Sequence, residues 1–245
     1  MALTHELERL GNRLFRWRSY LPLLLLVVFF LALSDLAKIP NRPLPGHPWE
    51  LSCLAISCLG LAVRVLTVGY VPRGTSGRNT KGQVAEVLNT AGIYSLVRHP
   101  LYLGNFLMWL GIALFLGVWW LSLIIILTFW LYYEKIMYAE EAFLREKFGE
   151  SFTVWAAQTP LFIPRLARWQ APTLRFSWRS ALKREYASFF AMISIFFTLH
   201  VLSRLWLQRT LALDPLWVTI FAISLVFYFT VRFLKKKTRR LDDDR

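Results

Sequence analysis

The chain has 245 residues, 56% hydrophobic and 16% aromatic, and carries 29 Lys and Arg against 15 Asp and Glu, a net charge of +14. That apolar fraction excludes an ordinary soluble domain and makes the bilayer the expected solvent. The charge does not point to nucleic acid, because no separable recognition module is present and the bias of basic residues toward one membrane face accounts for it.

In chain order, a basic arm with Arg9, Arg13, Arg16 and Arg18 precedes a first apolar stretch at 20–37. No small-residue cleavage signature follows, so a retained anchor is expected. A second stretch at 49–71 contains Arg64, Cys53 and Cys58. The two cysteines lack a metal-ligand spacing with histidine and cannot bridge within one helix, so they read as packing residues; no metal site is expected.

The polar loop that follows has Gly74, Gly77 and Gly82 for tight turns. Residues 83–88 suit a short helix ending near Asn89 and Gly92. Such a loop either cradles a cofactor with its backbone or is a plain connector.

Pro100 then opens a third apolar helix, 101–116, and so sets His99 at the helix entrance. A reversal near Gly117 leads into 119–136 and makes a helical hairpin, with Trp119 and Trp120 at the interface opposite His99. Residues 135–148 are expected to leave the membrane as an amphipathic continuation bearing Glu140 and Glu141, ended by Gly149.

Pro160 and Pro164 impose extended geometry before a basic linker, 165–184, whose Trp169 and Trp178 suit head-group contact. Two further stretches, 186–207 and 215–234, form a last hairpin turning at Asp214 and Pro215. Within it, His200 and Arg204 lie one helical turn apart, and His200 reads first as a packed, hydrogen-bonded residue.

Six stretches, most near the length that crosses a 30 Å hydrocarbon core and the third short enough to need little tilt or local thinning, imply an all-α polytopic integral membrane protein with about six transmembrane helices. An even number of spans places both termini on one face, which then collects 24 of the 29 basic residues; that face is expected to be cytoplasmic. The chain divides into an N-terminal membrane hairpin at 1–71, a core at 72–164, and a basic linker with a C-terminal hairpin at 165–245. Arg98, His99 and Tyr102 at a membrane boundary form a functional-site candidate by position alone, since ionisable groups there need a partner or a ligand.

The ordered set Gly92-x-Tyr94, Arg98-His99-Pro100-x-Tyr102-x-Gly104, a helical hairpin, Glu140-Glu141, Phe148-Gly149 and Thr159-Pro160 resembles the isoprenylcysteine carboxyl methyltransferase and phospholipid methyltransferase superfamily across roughly residues 71–164. The resemblance implies a membrane methyltransferase that uses S-adenosylmethionine, held in a cytoplasm-facing pocket. Carried over by position, the cofactor contacts are Glu86, Val87, Leu88, Asn89, Tyr94, His99, Pro100, Leu101, Tyr102, Glu140 and Glu141. Glu140 would meet the cofactor's ammonium group, backbone donors near His99 its carboxylate, and Tyr94 and Tyr102 its adenine or sulfonium.

One position departs from the prenylcysteine enzymes: Ile136 stands where they carry an arginine, with Lys135 beside it. Prenylcysteine carboxylate recognition is weakened accordingly. Arg98 and Lys135 are candidates for aligning the acceptor, and Lys135, Arg73, Arg78 and Lys81 for binding it. The expected reaction is methyl transfer to a membrane lipid, with a phosphate head group such as lipid A phosphate favoured and the bacterial inner membrane as the setting. Prenylcysteine carboxyl and phospholipid amine acceptors are the alternatives within the class. A sterol-type reductase and a non-enzymatic lipid-binding or transport protein are the alternatives outside it.

Overall fold

The computed structural model describes residues 2–17, 20–38, 45–72, 83–209, 211, 213–238 and 241. Its helices are α1 (Ala2–Trp17), α2 (Leu21–Leu36), α3 (His47–Tyr70), α4 (Pro100–Leu114), α5 (Trp119–Phe148), α6 (Glu150–Gln158), α7 (Trp178–Gln208) and α8 (Pro215–Lys237). All six expected apolar stretches are helical, and no strand occurs among the described residues. By length and composition four of these helices, α3, α5, α7 and α8, are able to cross a membrane, while the apolar helices 25–36 and 100–114 are shorter.

α4 packs along α3, and α5 returns antiparallel to α4. The α3–α4 contact is close because small residues line it: a methyl group on Gly104 would lie 2.7 Å from the Gly60 carbonyl oxygen, and one on Gly111 would lie 2.3 Å from the Cys53 carbonyl oxygen. Ser57 Oγ adds a bond to the Met108 carbonyl at 2.8 Å. In an apolar solvent such close backbone approach and interhelical bonding replace the hydrophobic drive.

The α4–α5 reversal occurs at Gly117, whose φ of +64° suits a residue without a side chain. At 30 residues, α5 extends about 45 Å, well beyond the hydrocarbon core, so its C-terminal turns stand outside. Gly149 ends it at φ +56°.

Four segments depart from the sequence reading. Residues 83–92 are not helical; a six-residue helix barely repays its nucleation, and with Val84 and Val87 exposed and only Ala85 buried this segment has little burial to supply the difference. α6 follows α5 directly where only a break was expected. The basic arm is helix α1, with Gly11 and Phe15 buried against α5 and the Tyr132 hydroxyl donating to the Leu14 carbonyl at 2.6 Å. The linker is partly helical as well, since α7 already starts at Trp178.

Candidate functional site

The α4–α5 hairpin brings the start of α4 beside the outer part of α5. There Arg98 Nη1 donates to Glu141 Oε2 at 2.8 Å and His99 Nε2 donates to Glu141 Oε1 at 3.0 Å. His99 Nδ1 faces Glu140 Oε2 at 3.6 Å, a distance of electrostatic attraction rather than hydrogen bonding. Both ring nitrogens thus face carboxylate oxygens, which when ionised only accept. Burial opposes charge on the His99 ring, but Glu140 and then Glu141 outweigh it and raise its pKa above the usual value.

The two acids differ in exposure. Glu141 is taken up by Arg98 and His99, whereas the Glu140 side chain is 33% exposed against 5% for His99. Arg98 Nε is buried and has no hydrogen-bond partner among the described residues.

The loop before α4 is held from outside. Arg98 N donates to the Pro160 carbonyl at 2.9 Å, Arg165 N to the Leu96 carbonyl at 3.0 Å, and Gly92 N to the Gln170 carbonyl at 2.9 Å. Trp155 Nε1 of α6 donates to the Tyr94 carbonyl at 3.2 Å. Burial, reinforced by Glu140 and opposed by Arg184, raises the pKa of the Tyr94 hydroxyl, which therefore stays protonated. Beneath His99 the Tyr102 ring stacks at 5.6 Å, followed by Tyr133 at 5.0 Å and Phe129 at 4.1 Å from Tyr133.

Of the residues expected from sequence, Arg98, His99, Tyr102, Glu140 and Glu141 come together, with Pro100 and Leu101 in the same first turn of α4 and Tyr94 coupled electrostatically to Glu140. Glu86 and Val87 are exposed and Leu88 and Asn89 half-buried; among the described residues no hydrogen bond or ion pair joins the four to Arg98, His99, Glu140 or Glu141. Lys135 does not join the group. Its ammonium donates to the Leu131 carbonyl at 2.9 Å, and five residues of helix turn it about 140° away from Glu140. Ile136 is fully buried. Arg73, Arg78 and Lys81 lie outside the described residues.

A second polar group below the site was not anticipated. Arg64 holds Glu185 of α7 through Nε to Oε2 at 2.9 Å and Nη2 to Oε1 at 2.7 Å, and Nη1 donates to Asn105 Oδ1 of α4. Asn105 Nδ2 in turn lies 3.4 Å from the Tyr133 hydroxyl. Arg64 in an apolar span was the available signal, since a buried charge requires a counter-charge, but only folding identifies Glu185 as that partner. At the far end of α3, Glu50 accepts from His200 Nδ1 at 3.0 Å and Trp217 Nε1 at 2.7 Å, and Arg204 Nε donates to His200 Nε2 at 2.8 Å. His200 is a packed, hydrogen-bonded residue as expected.

Residues 54–151 match the phospholipid methyltransferase family model. The chain is 37% identical over 79 residues to the protein-S-isoprenylcysteine O-methyltransferase of Schizosaccharomyces pombe, covering 32% of this chain and 34% of that protein. It is 34% identical over 106 residues to the cobalt-zinc-cadmium resistance protein CzcN of Cupriavidus metallidurans, covering 43% and 49%. With the nickel-cobalt-cadmium resistance protein NccN of Alcaligenes xylosoxydans xylosoxydans it shares 36% over 110 residues, covering 42% and 51%. The chain thus spans about a third to a half of the length of these curated relatives. No solved structure matches it. The superfamily resemblance read from the motifs is borne out over this matched core.

Proposed function

We propose, from the match of residues 54–151 to the phospholipid methyltransferase family, that this chain is a membrane methyltransferase using S-adenosylmethionine on a membrane lipid. The observation that carries the reading is the pairing of Arg98 and His99 with Glu141, beside which the Glu140 carboxylate lies 3.6 Å from His99 Nδ1 with a third of its side chain exposed. A partly exposed carboxylate near the buried Arg98 Nε, which has no hydrogen-bond partner among the described residues, is the polar complement of a zwitterionic amino-acid group, so the residues fit the cofactor. Glu140 would hold its ammonium, and Tyr94 and Tyr102 would offer aromatic surface to its adenine or sulfonium. When bound, S-adenosylmethionine supplies an electrophilic methyl group.

His99 and Arg98 fix Glu141, so the start of α4 and the outer part of α5 are preorganised and alignment does most of the catalytic work. A phosphate or carboxylate acceptor needs no base; an amine would need a proton removed first. The basic surface around the site favours a phosphate head group, such as lipid A phosphate, and Arg73, Arg78 and Lys81 are its proposed contacts. The identity to an isoprenylcysteine methyltransferase favours a carboxyl acceptor as the second reading, against which Ile136 stands. Six spans with both termini and the site on the cytoplasmic face, in a bacterial inner membrane, complete the proposal; CzcN and NccN are bacterial proteins.

Incubation of the purified protein with methyl-labelled S-adenosylmethionine and total lipid, followed by mass spectrometry, tests it. A lipid gaining one methylene mass is expected, and Glu140→Ala should weaken cofactor binding by calorimetry roughly tenfold or more. Unlabelled lipid together with undiminished binding by Glu140→Ala would overturn both halves.

A further inference from the structure

Between Glu150 and Glu185 the chain carries six basic and no acidic residues: Arg165, Arg168, Arg175, Arg179, Lys183 and Arg184. The part nearest the site does not stay level with the loop it holds. Phe162 places its ring edge-on 5.6 Å from Phe106 and 5.5 Å from Trp130. Phe106 stands six positions into α4, about 9 Å along the axis from its start, within an apolar helix, and Trp130 is itself exposed on the outside of α5. The chain leaving α6 therefore descends beside α4 and α5, where Leu161 and Phe162 pack against the aromatic cluster of Tyr102, Phe129 and Tyr133.

Pro164 follows, and the side chains beyond the descent point outward. Ile163 is 79% exposed, Leu166 75% and Trp169 52%. Residues 166–168 form a 3₁₀ turn, in which positions three apart share a side. Leu166 and Trp169 thus line up on one side, and Arg165 and Arg168 on another. The backbone is tied on both flanks, by Arg165 N to Leu96 and by Gln170 N to Ser95 Oγ at 3.0 Å. A tethered segment presenting this much apolar surface would be unfavourable in water, and the acyl region removes that penalty.

We propose that residues 161–169 form a lip immersed in the bilayer leaflet on the site side, with Ile163 and Leu166 among the acyl chains and Arg165 and Arg168 on anionic lipid head groups. The occupant is lipid because Phe162 sits at the depth of the apolar helices and because the segment combines a purely basic charge with an apolar side, the composition of interfacial anchors. The lip lies between the aromatic floor of the site and the lipid-facing surface of α5, whichever reaction the site performs.

The test uses the full chain with exposed Cys58 replaced by serine, leaving Cys53 buried. An environment-sensitive fluorophore is attached at Ile163→Cys, Leu166→Cys or, as an exposed control on the outer end of α5, Glu146→Cys. The protein is reconstituted in phosphatidylcholine vesicles with or without phosphatidylglycerol. The lip labels should emit further to the blue, and lipid-borne quenchers should act on them roughly twofold more than on the control, with iodide showing the reverse order. Arg165→Glu with Arg168→Glu should reduce lipid quenching at position 163 in the anionic vesicles alone. Iodide quenching at 163 and 166 equal to that at 146 would overturn immersion. Shielding from both quenchers together with cross-linking between copies would assign the lip to a second chain. Lipid quenching that ignores the charge reversal would overturn the head-group contact.

Discussion

His99 has a carboxylate on each ring nitrogen and Arg98 shares one of them, so the group is neutral overall only when the imidazole is protonated. Its folded pKa lies above the value near 6.5 of an unfolded chain. The charged ring therefore contributes stability that is fully present below about pH 6.5 and is lost as pH rises through the higher folded value. The melting temperature of the detergent-solubilised protein is expected to fall over that range, and Glu141→Gln to flatten the dependence; an unchanged slope in the variant would contradict the pairing. Glu141→Gln also leaves Arg98 and His99 without their shared anion, an expected loss of roughly 2–3 kcal/mol, read from the same melts. The residue types and order at this group were legible in sequence. Which acid Arg98 and His99 share, and which is the more exposed, was not, because Glu140 and Glu141 are neighbours and differ only in the direction their shared helix turns each of them.

At the scale of elements, α3 is clasped by α4 on one side and tied to α7 at two levels. Arg64–Glu185 and Glu50–His200 are separated by 14 residues on α3 and 15 on α7, in opposite directions, so the ties fix an antiparallel register across about 21 Å of helix. Glu185→Ala leaves a buried guanidinium without its counter-charge and is expected to lower stability by roughly 3–5 kcal/mol, whereas Arg64→Met with Glu185→Met should recover most of it; thermal unfolding of the wild type and the two variants measures this. Gly104→Ala would place a methyl group 2.5 Å from Arg64 Cγ and 2.7 Å from the Gly60 carbonyl oxygen. Backbone cannot yield as a flexible side chain does, and an expected loss of about 1–3 kcal/mol follows, with Gly46→Ala, which meets only Pro48 at 3.6 Å, as the neutral control. Apolar length announced these helices, while α1 was hidden in a stretch dominated by arginine although Leu7, Gly11, Leu14 and Phe15 fall on one helical face.

Over the whole molecule, the four long apolar helices are joined by shorter ones at 25–36 and 100–114. With both short helices crossing, the two termini lie on one face with the site. Reporter fusions at each terminus are expected to give the same sidedness, and opposite signals would show that one short helix does not cross. Tilt or local thinning accommodates a 15-residue helix, which reaches about 22 Å.

The sequence by itself determined the solvent of this protein, its helical class and the composition of the polar group at the mouth of α4, because length, apolarity and motif order are properties of the chain alone. Tertiary structure decided the rest. It turned Lys135 toward its own helix backbone, gave Arg64 a counter-charge 121 positions away and drew the segment after α6 down beside α4 and α5. Each of these depends on which faces meet between distant helices. That choice is made by close backbone approach and by the pairing of buried charges, and neither has a local periodicity to read. The motif from Gly92 to Gly104 marks where chemistry is expected; the helices packed around it set how its groups are paired and how deeply each is buried.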